Sequence, residues 1–101
     1  MTLEELTHIT QTKITSERFG PKHLQSWLVT LRDTEGQQLR VHWSEKNNPP
    51  DNVDITLPCV GEGLTEFAAL QNLAQRLRGR LLIFNYYTTW REVPIPDTLT
   101  A

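Results

Sequence analysis

Trp27-Leu28-Val29-Thr30-Leu31-Arg32, followed by Asp33-Thr34-Glu35-Gly36-Gln37 and then by Gln38-Leu39-Arg40-Val41-His42-Trp43, reads as a β-hairpin. Trp27, Val29 and Leu31 recur at every second position, and so do Leu39, Val41 and Trp43. A period of two places each trio on one face of a strand. With Thr34, Glu35 and Gly36 as a three-residue loop, Gly36 takes the left-handed position such loops need. Asp33 then faces Gln37, Leu31 faces Leu39, Val29 faces Val41, and Trp27 faces Trp43. Loop chemistry and apolar register agree, which is how a hairpin register is specified.

The apolar hairpin face needs a cover, and the segment from Leu64 to Arg78 offers one. Phe67, Leu70, Leu73, Ala74 and Leu77 recur at steps of three and four, the stripe of an amphipathic helix. Glu62 and Glu66 precede it, Arg76 and Arg78 end it, and Gly79 follows as a left-handed stop, all in keeping with the helix dipole. Leu81-Leu82-Ile83-Phe84, within a strand from Arg80 to Tyr87, is a continuous apolar run expected to be covered on both faces.

Working outward, Thr2-Leu3-Glu4-Glu5 forms a capping box for a short N-terminal helix. The β-branched, threonine-rich stretch from Ile9 to Phe19 reads as an exposed edge strand, broken by Gly20-Pro21. Glu45 to Asn52 is a polar, proline-containing loop. Val53, Ile55 and Leu57 alternate in a strand that Pro58 ends, and Cys59 to Gly63 is a connector. Residues 88–101 contain Val93-Pro94-Ile95-Pro96 and read as an extended tail. That tail either docks on a partner or folds back over an open edge of the core.

The expectation is therefore one α+β domain over residues 1–101: an antiparallel sheet of four or five strands in the order α-β-β-β-β-α-β, with one long helix on one face and a short N-terminal helix. The 38% hydrophobic and 22% charged fractions are those of an ordinary globular chain. No apolar run approaches the roughly 18 residues of a membrane helix. Met1-Thr2-Leu3-Glu4-Glu5 carries neither part of a secretory signal, and the single Cys59 suits a reducing compartment, so a cytoplasmic location is expected.

Candidate chemistry is sparse. Glycines 61 and 63 precede a helix, as in a phosphate cradle, but Glu62 and Glu66 stand where the phosphate would go and no P-loop lysine follows. Cys59 and the three histidines are scattered, without the spacing of a metal site or an activated thiol, so a buried apolar role is the plainer explanation. The acidic pairs Glu4/Glu5 and Glu62/Glu66 are explained as helix starts. No catalytic set, cofactor or metal is expected.

What remains is binding. Arginine, tyrosine and tryptophan are enriched at interface hot spots and lysine is depleted, and the C-terminal third is rich in arginine and aromatic residues. Trp90, Arg91, Tyr87, Arg78 and Arg80 are the expected partner-binding residues of a small, non-enzymatic protein-binding module. An adaptor fits, as does an inhibitor of the immunity or anti-defence kind that bacteria or phages encode. The alternative is nucleic acid held by Arg76, Arg78, Arg80 and Arg40 with Tyr86 stacking on bases, against which the net charge of −2 counts. No membrane partner is expected, and a homo-oligomer stays open.

Overall fold

The computed structural model describes residues 1–22, 24–42, 56–84 and 91–101. The elements run α1 (Leu3–Thr10), β1 (Lys13–Phe19), β2 (Ser26–Arg32), β3 (Arg40–His42), β4 (Thr56–Pro58), β5 (Val60–Gly63), α2 (Glu66–Leu77), β6 (Leu81–Phe84) and β7 (Arg91–Pro94). The fold is α+β, as expected. The strands do not form one sheet of four or five, however. They form two antiparallel sheets, β1-β2-β5 and β4-β3-β6-β7.

The reason lies at the hairpin. Its loop closes as read: the Asp33 amide donates to Gln37 O at 2.9 Å, and Gly36 sits at φ +86°. The register also holds at Arg32↔Gln38, and the Leu39 amide donates to Leu31 O. Beyond that point the legs part. The Cys59 amide donates to Leu39 O at 3.1 Å, and the Leu31 amide donates to Cys59 O at 3.0 Å. A third chain segment is thus wedged between the legs. Up to Pro58 it runs toward the hairpin loop along β3, and from Val60 it runs back along β2. Val29 and Val41 therefore face Gly61 and Leu57 instead of each other. Trp43, Val53 and Ile55 lie outside the described residues, as does the polar loop.

The segment expected as a connector is strand β5, and its glycines have a packing role. A Cβ on Gly61 would lie 2.6 Å from the Leu73 amide nitrogen and against the Ala69 carbonyl oxygen; one on Gly63 would lie 2.6 Å from the Ala69 nitrogen. Helix α2 thus rests directly on the β5 backbone. Gly63 faces Trp27 and Gly61 faces Val29, so α2 covers the side of β2 that carries Trp27, Val29 and Leu31, as the sequence implied. The helix is shorter than expected, because Thr65 caps it by accepting from the Ala68 amide at 3.0 Å. Ala69, Leu73, Ala74 and Leu77 are buried, whereas Phe67 is 62% exposed and drops out of the stripe.

The C-terminal residues fold back onto the domain. Arg91–Pro94 pairs with β6, Ile95 and Leu99 are buried, and Thr100 bridges to Thr2 beside α1. Pro94 is tolerated because β7 is an edge strand. The expected capping box is present at α1, with the Glu5 amide donating to Thr2 Oγ1 at 3.2 Å. One hydrophobic cluster joins α1, both sheets, α2 and the C-terminal segment. No helix among the described residues is long and apolar enough to cross a membrane.

Candidate functional site

Three expected site residues come together. Arg76, Arg78 and Arg80 line one concavity of about 770 Å³ with Asn72, Gln75 and Asp97. They meet because α2 ends at Leu77, Gly79 turns the chain at φ +65°, and β6 begins at Leu81. Each guanidinium also holds the fold. Arg76 Nη1 donates to Pro58 O at 3.2 Å, Arg78 Nε to Leu99 O at 2.5 Å, and Arg80 Nη1 to Arg76 O at 2.5 Å. These bonds tie the end of α2 to β4 and to the C-terminal segment. A guanidinium has five N–H donors, so Arg76 and Arg78 retain capacity toward the concavity.

The other expected residues are not in this group. Arg40 sits on β3 opposite Pro58 and Ile83, and its Nε donates to Thr56 Oγ1 at 2.6 Å. Arg91 pairs with Phe84 at the far end of the β6–β7 ladder from Arg80, roughly 13 Å along the strand, with its guanidinium 4.6 Å from the Phe84 ring centroid. Trp90, Tyr87 and Tyr86 lie outside the described residues. On the face of β3 that carries Arg40, His42 Nε2 lies 2.9 Å from Glu92 Oε1, reaching across β6.

Cys59 is fully buried at the fork of the two sheets, and burial pushes its thiol up to about 12, against a smaller pull from Arg40 and Arg76. A thiol this protonated and this enclosed is a poor nucleophile. The glycine pair ahead of α2 seats the helix backbone.

A second surface was not anticipated. The C-terminal end of β1, the loop after it, the N-terminal end of β2, the C-terminal end of β5 and the first turn of α2 all meet at one end of the three-stranded sheet. Phe19, Leu24, Leu64 and Phe67 stand there at 40%, 68%, 82% and 62% exposure. Half-buried Trp27 is on the α2 side of this end, with the Arg18 guanidinium 5.4 Å from its ring centroid, whereas Phe19, opposite Ser26, is on the other face of the sheet. The overlooked signal is Thr65. As N-cap it begins the helix at Glu66, two residues later than expected, leaving Leu64 outside it, while Phe67 lies on the flank of the stripe. The two glycines opposite Ala68 and Ala69 carried the matching signal that small residues make the contact.

No protein-family model, no curated protein and no solved structure matches this chain.

Proposed function

We propose that this chain is a protein-binding module, an adaptor or inhibitor acting without catalysis, and that it docks another protein through the apolar end of the three-stranded sheet. The observation that carries the reading is that Leu64 and Phe67 stand largely exposed at the start of α2, at the same end of the three-stranded sheet as exposed Phe19 and Leu24. Scattered exposed apolar residues are ordinary, but a group of large ones at one site marks an interaction surface. Aromatic and arginine side chains are also the usual hot-spot residues.

A photo-crosslinking residue at position 64 is expected to form a discrete adduct with one protein in the native cytosol, and the adduct identifies the partner for purification. Leu64→Asp and Phe67→Glu are then each expected to weaken binding at least about tenfold by calorimetry, with the thermal midpoint nearly unchanged because both side chains are mostly exposed. A partner that is insensitive to both variants and lost with Arg78→Ala or Arg80→Ala moves the site to the arginine concavity. A lack of any adduct at position 64 sinks the reading.

The convergence of Arg76, Arg78 and Arg80 on one concavity favours a second reading, nucleic-acid binding. Affinity for a single-stranded oligonucleotide is then expected to fall steeply with salt, and each Arg→Ala variant to lower the salt slope by about one. A gel-shift titration without affinity at low salt removes it.

A further inference from the structure

We infer that β1 is a self-association edge, along which two copies of this chain pair antiparallel about a twofold axis at Thr15. This goes beyond the docking surface proposed above and rests on the backbone edge of β1 with Lys13 and Glu17, not on the exposed apolar side chains.

The backbone shows what the edge offers. The Leu31 amide and carbonyl both point away from β1, toward Cys59 and Leu39. Backbone groups alternate sides along a strand, so Arg32, Thr30, Leu28 and Ser26 point toward β1. Their register partners Lys13, Thr15, Glu17 and Phe19 point back at β2. Ile14, Ser16 and Arg18 therefore direct their amides and carbonyls outward. Among the described residues these groups have no backbone partner. The strand is seven residues long, contains no proline and keeps an unbroken register from Lys13↔Arg32 to Phe19↔Ser26. Long, regular edges of this kind are templates for another strand.

The side chains choose the occupant and the register. Lys13 stands directly opposite Arg32, a like-charge pair that costs stability within one copy. Across Leu28, exposed Glu17 shares a row with exposed Glu62. Pairing about Thr15 matches Ile14 with Ser16 of the second copy, so outward backbone groups meet outward backbone groups. It also sets Lys13 of each copy against Glu17 of the other, offsetting both like-charge rows twice over. Moving the axis to Glu17 would oppose two glutamates, and an axis at Ser16 would set Lys13 against Phe19. The resulting sheet runs β5-β2-β1 and then β1-β2-β5 of the second copy. Its two apolar ends point apart, with the Phe19 positions roughly 27 Å from each other.

Sedimentation equilibrium of the full chain is expected to show a dimer dissociating in roughly the micromolar range. Lys13→Glu and Glu17→Lys, each alone, raise the dissociation constant about tenfold, since each creates two like-charge pairs. The double variant K13E/E17K returns it to within about threefold of the wild type. Ser16→Pro, at a position whose amide points outward, abolishes the dimer while the circular dichroism of the monomer is kept. A monomer at millimolar concentration overturns the proposal. So does a dimer indifferent to the charge variants, a double variant no better than the singles, or a dimer lost instead with Leu64→Asp and Phe67→Glu.

Discussion

Alanine at Gly61 is expected to lower stability by about 3 kcal/mol, the upper end of what overpacking costs, and the thermal midpoint by roughly 12 °C or more. The added methyl group would meet the Ala69 carbonyl oxygen, the Leu73 nitrogen at 2.6 Å and Leu73 Cβ at 2.9 Å. None of these is the free end of a flexible side chain, so helix and strand must separate. Separation exposes Leu73 and Leu77, both fully buried. Gly63→Ala is expected to cost less, because it meets the first turn of α2, where the helix can lift. Gly36→Ala is the control: nothing lies within 4 Å of its Cβ, and only its φ of +86° opposes the change, at about 1 kcal/mol. Urea unfolding followed by tryptophan fluorescence ranks the three. A Gly61 variant no weaker than the Gly36 variant contradicts direct seating of α2 on β5.

Alkaline conditions are expected to weaken the fold through Cys59. Burial pushes the thiol from its ordinary 9.0 up to about 12. Below pH 9 it is protonated in both states and stability does not depend on it. Between pH 9 and about 12 the unfolded chain has released a proton that the folded chain still holds. Stability then falls as pH rises, by up to about 1.4 kcal/mol per pH unit from this group. Cys59→Ala removes that dependence, so its stability curve runs shallower than the wild type's over this window and parallel to it below pH 9. The same shift predicts that at pH 8 the native thiol reacts with iodoacetamide at least about a thousandfold more slowly than the urea-unfolded thiol. Comparable native and unfolded rates would place Cys59 at the surface.

The candidate surfaces were unequally legible. The arginines were visible as residues, and Gly79 told that helix and strand meet there, so their convergence could be anticipated. Their bonds to Pro58, Leu99 and Arg76 carbonyls could not, because those acceptors come from distant or unspecified backbone. Phe67 looks like a core residue to a periodicity argument, and Leu64 like the first residue of the helix. Only the seating of α2 on two glycines leaves them outside.

Local chemistry determined what local chemistry can. The capping box at Thr2 and Glu5, the turn at Gly36, the stop at Gly79 and the apolar side of β2 each follow from a few neighbouring residues, whose hydrogen bonds or backbone angles close within a short span. The division into two sheets was decided only in three dimensions. A hairpin read alone satisfies its own strands, and nothing in Leu31 or Leu39 announces that Cys59 will take their next hydrogen bonds. Backbone groups carry no side-chain label, so competition among strands for the same amides and carbonyls is settled by where the rest of the chain packs.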